Sequence, residues 1–328
     1  MLADTTASKP EALTTASTGG PTTPSGHPPR SLFAGRARPG EAVIKLVLRL
    51  AAAVAIVTTI GILIALLVPA IGFFREVPVF EFLFGDRWAP RFADASFGVL
   101  PLVTATAWTT AIALLVAVPL GLGAAILLSE YARPGLRKVL KPILEILAGV
   151  PTVVYGFFAL QFIQATVLRE WLQLDTGAFS VLAAGLVMGI MIIPTVASIS
   201  EDAMSAVPMS LRQGSAALGA NRMQTSLRVV FPAALSGIMA AVVLGISRAV
   251  GETMIVAIAA GNQARIVTGP LEQGQTMTGF IANAALGDSR VGSLEYDTLY
   301  AVGLLLFAIT LLVNFISIRL VRRFRQAY

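Results

Sequence analysis

The sequence predicts an all-α integral membrane protein with six transmembrane helices and both termini in the cytoplasm. Three observations predict it. Of 328 residues, 56% are hydrophobic and only 13% charged, with mean hydropathy +0.79; an average soluble protein carries roughly 25% charged residues. Six apolar stretches each reach the ~20 residues that a hydrocarbon core demands of a helix. The basic residues gather at alternate ends of those stretches, as the positive-inside rule expects.

Residues 1–42 are rich in Thr, Ser, Pro, Ala and Gly, with almost no large apolar side chains. Such a segment buries too little surface to offset its ordering entropy, so it is expected to be a disordered cytoplasmic tail. It does not read as a signal peptide, whose apolar region lies near the start. The remainder, 43–328, expected to be the transmembrane domain, carries the six uncharged runs: Leu50–Phe74, Ala95–Ser129, Ile146–Leu168, Thr176–Ser200, Val229–Ala264 (interrupted by two charges) and Thr298–Ile318. Helices are the expected spanning element, because the ~10-residue alternation of membrane barrel strands is missing. With the N-terminus inside, seventeen lysines and arginines fall on the cytoplasmic side and six outside. The high pI of about 10.1 is thereby a topology signal, and nucleic acid is not expected as a partner.

Prolines in the spans (Pro101, Pro119, Pro151, Pro194) are expected to kink them. Small residues every four positions, at Gly237, Ala241, Gly245 and Ala249 and again at Gly185 and Gly189, are expected to let helices approach closely. Between the fifth and sixth spans, the apolar run from Met277 to Asp288 is too short to span. It reads as a helix lying on the outer face or dipping into the protein.

Composition removes several chemistries. There is no cysteine, and the one histidine, His27, lies in the tail. A transition-metal site, a thiolate nucleophile and an imidazole base are therefore not expected. None of Lys9, Lys45, Lys138 and Lys141 follows the glycine pattern of a phosphate-binding loop. The chain reads as a non-enzyme without cofactor, and any ATP hydrolysis that drives it must occur on another subunit.

The two charges inside the fifth run are Arg248 and Glu252. A charge near mid-membrane costs at least ~2.5–3.5 kcal/mol. Spacing of four puts the pair on one face of a continuous helix. One reading is a buried ion pair that fixes packing, although desolvation makes such pairs weak stabilisers. The other is a polar path, in which Arg248 offers its forked donors to a passing oxyanion. Glu252 then holds Arg248 when the path is empty and keeps binding weak enough for release. Thr253, Thr152 and Thr195 are candidate hydroxyl donors on the path.

The cytoplasmic loop at about 201–232 is the second informative segment. Arg212 to Leu218 is helix-compatible, Gly219 suits a helix stop, and a second helical stretch runs into Pro232, a residue fit for a first turn. This loop resembles the coupling loop of ABC importer permeases, whose pattern is Glu-Ala-Ala, three residues, Gly, then nine residues to Ile-x-Leu-Pro. Gly219 and Pro232 keep the thirteen-residue spacing, and Val229 and Phe231 stand for the Ile and Leu. Gln213, Gly214 and Ser215 occupy the Glu-Ala-Ala positions, a departure from the pattern. Ala148-Gly149-Val150-Pro151-Thr152-Val153-Val154-Tyr155-Gly156-Phe157-Phe158 and Ser247-Arg248-Ala249-Val250-Gly251-Glu252-Thr253-Met254 look like phosphate-importer permeases. With Leu286-Gly287-Asp288 and Leu294-Glu295-Tyr296, they are more similar to the PstC type than to its PstA-type partner.

The resemblance implies the type I ABC importer permease fold and a multi-pass place in the cytoplasmic membrane. It implies ATP-driven phosphate import by alternating access, with a PstA-type second permease, an ABC ATPase dimer and an extracytoplasmic phosphate-binding protein. It assigns Gln213, Ser215, Ala216, Gly219 and Pro232 to ATPase coupling, and Arg248, Glu252, Thr253 and Thr152 to the path. A permease for sulfate or molybdate has the same arginine chemistry. An ion-coupled secondary transporter is the more distant reading, since no inverted repeat is evident.

Overall fold

The computed structural model describes residues 39–287 and 290–324. Most of the expected tail, including His27, lies outside them. Helix α1 runs from Pro39 to Glu76. Its stretch Val43–Val57 leaves apolar side chains exposed on all sides, a pattern suited to lipid rather than water.

Past residue 59, α1 ends in an outer cap. Helix α2 (Val79–Phe84) is followed by strands β1 (Trp88–Ala89) and β2 (Ser96–Phe97), an antiparallel pair with Trp88 opposite Phe97. Phe73, Phe82, Trp88 and Phe97 pack there edge to face. A side chain on Gly98 would sit 2.3 Å from the Gly85 carbonyl carbon; the two backbones touch where only glycine fits.

The centre is built from α3 (Leu100–Ile126, running on as a π-helical turn Leu127–Tyr131), α4 (Pro134–Ala148), α5 (Thr152–Phe158, running on as a π-helical stretch Ala159–Trp171) and α6 (Val181–Ser205). On the basic side follow α7 (Met209–Ala217), α8 (Arg222–Thr225), a π-helical turn Ser226–Val230 and α9 (Phe231–Ala233). The chain then continues through α10 (Leu235–Val250), α11 (Met254–Ala259), α12 (Met277–Ala285) and α13 (Leu294–Phe324).

Among the described residues, five helices are long and apolar enough to cross a membrane, and a sixth arises if the bent pair Arg222–Ala233 and Leu235–Val250 counts as one span. This meets the expected all-helical, six-span architecture, with corrections in detail. The fifth run is not one helix: it bends by 72° before Leu235 and breaks again after Val250. The third run begins only at Thr152, after the Gly149–Pro151 interruption. Pro101 sits in the first turn of α3, where its missing N–H costs nothing, rather than at a mid-helix kink. The run from Met277 forms α12, and its Met277, Thr278, Gly279, Phe280 and Ala284 are buried, so it dips into the protein; Asp288 lies outside the described residues.

Small residues set the close approaches. On α6, a side chain at Gly185 would meet Ile112 Cβ at 2.7 Å, and one at Gly189 would meet Val116 Cβ at 2.8 Å, both on α3. On α10, Gly237 lies against Ala203, Gly245 against Ile192 and Val196, and Ala241 and Ala249 are buried. Both expected stripes are packing seams, and they fix α3, α6 and α10 as one block under the site.

Candidate functional site

Helix α10 ends at Val250, with Gly251 as its C-cap. Arg248 therefore stands in the last turn, where a cation is favoured by the terminal carbonyls. Its Nη1 donates to Thr195 Oγ1 on α6 at 3.0 Å. The Tyr155 hydroxyl of α5 donates to the Leu147 carbonyl at 2.8 Å. Among the described residues no carboxylate pairs with Arg248.

Glu252 does not hold it. The helix breaks between the two residues, so the one-face geometry of a continuous helix is lost. The Glu252 carboxylate instead turns to the start of α11 and accepts from the amides of Met254 (3.0 Å) and Ile255 (3.3 Å). It is buried, and those orphan N–H groups balance its charge. Its own carbonyl accepts from Thr278 Oγ1 of α12 at 2.6 Å. The expected Arg248–Glu252 contact is thus corrected: Glu252 is a cap and a tie to α12.

Thr253 donates locally, to the Gly251 carbonyl at 3.3 Å. Thr152 opens α5, half-buried, with no hydrogen bond to its hydroxyl among the described residues. It lies one turn from Tyr155 and so on the same face. Gly156 brings α5 against α11, where a side chain would meet Ile258 Cδ1 at 2.8 Å. The structure therefore joins Arg248 to Thr195, sets Thr152 on the same face of α5 as Tyr155, and turns Glu252 away. A further polar contact, Ser247 Oγ to Asn314 Oδ1 at 3.0 Å, ties α10 to α13.

The cytoplasmic loop is sharply defined. Gly219 has φ +82°. The amides of Gly219 and Ala220 reach back to the carbonyls of Ala216 (2.9 Å) and Ser215 (3.2 Å), the paired bonds of a Schellman stop. Asn221 and Gln224 then form a reciprocal capping box, with bonds of 2.9 and 3.0 Å, that starts α8. Ser215 Oγ meets Thr225 Oγ1 at 2.9 Å, clasping the two arms. Gln213, Ala216 and Gly219 are exposed, Pro232 sits in the first turn of α9, and Leu218 projects with 91% of its surface bare.

Two ionic ties were not evident from the sequence. Arg212 Nη2 donates to Glu130 Oε1 at 2.9 Å and to the Met204 carbonyl at 2.8 Å, joining α7 to the ends of α3 and α6. Glu201, near the end of α6, is 1% exposed and pairs with Arg137 and, at 2.9 Å, with Lys141 of α4. Asp202 first, then Glu201, hold the Lys141 ammonium above its ordinary pKa by accepting its hydrogen bonds. The available signal was Arg137 and Lys141 at spacing four, one helix face, against two adjacent acids that close the fourth run.

Residues 117–327 match the family described as "Binding-protein-dependent transport system inner membrane component". The chain is 40% identical over 243 residues to a Bacillus subtilis protein described as "Probable ABC transporter permease protein YqgH", covering 73% of this chain and 78% of that protein. It is 35% identical over 251 residues to "Phosphate transport system permease protein PstC" of Mesorhizobium japonicum, covering 71% and 76% respectively. The Haemophilus influenzae protein of that description is 30% identical over 309 residues, covering 87% and 94%. Among solved structures, a bacterial ABC transporter for alginate import superposes with TM-score 0.58 at 17% identity, covering 87% of this chain and all of that one. The inward-facing MetNI methionine ABC transporter gives 0.56 at 22%, covering 69% and 97%. These two carry the fold: that of an ABC importer permease.

Proposed function

Because the chain belongs to the family of binding-protein-dependent transport system inner membrane components, we propose that it moves inorganic phosphate across the cytoplasmic membrane as one half of a permease pair. The coarser part of this reading follows from the family. The chain is a multi-pass membrane protein and the permease subunit of an ABC importer, working with an ATPase and a substrate-binding protein and not itself an enzyme. Phosphate as cargo, and a PstA-type protein as the second permease, are supported by the relatives described as phosphate permeases.

One observation carries the choice of an anion. Arg248 is held by a neutral hydroxyl and not by a carboxylate, so its charge is not cancelled by an ion pair. A guanidinium in this state can exchange Thr195 for a phosphate oxygen while keeping a second donor of its fork for another. Thr152, with its uncommitted hydroxyl, is a further donor. Glu252, whose carboxylate turns to the amides that open α11, does not pair with Arg248.

The test is competition for uptake by cells or vesicles containing the complete transporter. Excess phosphate is expected to suppress entry of labelled phosphate, with sulfate and molybdate having little effect. Equal suppression by sulfate or molybdate would move the cargo assignment to another oxyanion. Uptake should also stop when ATP is depleted with ion gradients held, which an ion-coupled carrier would not do.

We assign Gln213, Ser215, Ala216, Gly219 and Pro232 to the face that meets the ATPase. Gly219 has open space around it, so what it protects is backbone conformation and not volume. A left-handed conformation costs a non-glycine residue ~1–2 kcal/mol, or roughly 5–30-fold in the population of the formed loop. Gly219→Val should therefore lower phosphate moved per ATP hydrolysed by about that factor. Gly219→Asn, which tolerates the conformation, should be close to wild type. Equal activity of both variants would reduce the loop to a connector.

A further inference from the structure

We infer that Glu201 is a positioning residue that holds the cytoplasmic end of α6 to α4, so that motion delivered to α6 by Arg212 of α7 moves Thr195 and Arg248 with it. The inference rests on the permease reading above.

A carboxylate with 1% of its side chain exposed is retained only if its charge is matched. Glu201 is matched three times. Arg137 Nη2 donates to Oε1, Lys141 Nζ to Oε2 at 2.9 Å, and Ser205 Oγ to Oε1 at 2.9 Å. Lys141 also reaches Asp202 at 2.9 Å, and Arg137 reaches Ser205 at 3.2 Å. Two cations of α4, one turn apart, thus grip one and a half turns of α6.

The same end of α6 is held from the loop. Arg212 of α7 donates to the carbonyls of Met204 and Val207 and to the Glu130 carboxylate that follows α3. Two ionic groups therefore hold the end of α6: Glu201 and Asp202 tie it to α4, and Arg212 ties it to α7 and to the turn after α3. Helix α6 continues from them unbroken, packed tightly on α3 through Gly185 and Gly189. Thr195 lies six residues before Glu201, roughly 9 Å along the helix axis. Thr195 is the residue that holds Arg248. A displacement of α7 reaches the guanidinium through a single rigid element with polar contacts at both ends.

Replacing the cluster by apolar packing would cost little stability. What it supplies is direction: fixed hydrogen bonds hold α6 to α4 in one register, for pull as well as push. A substrate-binding role for Glu201 is disfavoured, since its oxygens are already taken by cations and a hydroxyl.

The experiment uses the complete transporter in proteoliposomes with loaded binding protein, reading phosphate moved per ATP hydrolysed. Glu201→Gln should keep ATP hydrolysis yet lose about tenfold in that ratio, within the range of coupling energies between sites. Arg137→Gln should act in the same direction, and the double variant should be no worse than Glu201→Gln, because the residues act as a unit. Glu201→Asp should recover part of the ratio. A purely structural role would lower assembly, hydrolysis and uptake together and leave the ratio intact; that outcome, or losses that multiply in the double variant, overturns the inference. If Glu201→Gln fails to assemble, the double variant, which has no stranded guanidinium, is read in its place. Failure of the phosphate assignment is distinguishable, because it appears in the wild-type complex as well.

Discussion

Arg248→Gln is expected to abolish uptake of the proposed phosphate cargo while leaving the transporter assembled. Glutamine can still donate to Thr195, so the packing of α10 on α6 survives. What disappears is the charge. A hydrogen bond to a charged group contributes about 1.5–3 kcal/mol, and an arginine fork offers two to one phosphate. Loss of both corresponds to more than a hundredfold in affinity along the path, at a factor of ten per 1.4 kcal/mol. Arg248→Lys keeps the charge but not the planar fork and should retain partial uptake. Labelled-phosphate uptake measured against the amount of complex recovered by detergent extraction reads both effects. Normal uptake by Arg248→Gln sinks the anion path. Loss of the complex along with uptake shows instead that Arg248 is a packing residue.

The second large effect is expected at the crossing of α3 and α6. Gly185→Leu places four carbons where even one would lie 2.7 Å from Ile112 Cβ and 3.1 Å from the Thr109 carbonyl oxygen. A backbone oxygen cannot rotate away, so the helices must separate. Overpacking typically costs 1–3 kcal/mol for small insertions, and this one also opens the seam beside Gly189. The variant should accumulate at a small fraction of the wild-type level and elute as aggregate after extraction. By contrast Gly123→Leu, with nothing within 4 Å of its would-be side chain, should be recovered like wild type. Similar recovery of both variants would mean that the α3–α6 seam is looser than its geometry.

Much of this fold was legible because a bilayer imposes simple rules. Long uncharged runs became α3, α6 and α13, and small residues four apart became contact seams. The break after Val250 was not legible from the spacing of Arg248 and Glu252, which implies one face only if the helix continues. The signal was present in another form: Gly251, Glu252 and Thr253 are stop and start residues placed just before apolar Met254. The partner of Arg248 was harder to foresee, because Thr195 lies 53 residues away and only tertiary packing joins them. Arg137, Lys141 and Arg212 were visible as topology markers, whereas Glu201 was not singled out. Their pairing depends on how α4 and α7 fold back beneath α6, which local sequence does not encode. The coupling loop was the reverse case, since Gly219 and Asn221 announce a stop and a restart by their own backbone preferences.

The bare Leu218, with Met209 and Met223 also largely uncovered, has a consequence for how such a subunit is made. Sheltering one leucine side chain is favourable by about 1.5–3 kcal/mol. A copy without a neighbour on that side leaves this oily knob in the aqueous compartment. Synthesis in matched amounts therefore has a solubility rationale in addition to a mechanical one, and orphan copies bear a physical mark that assembled copies lack.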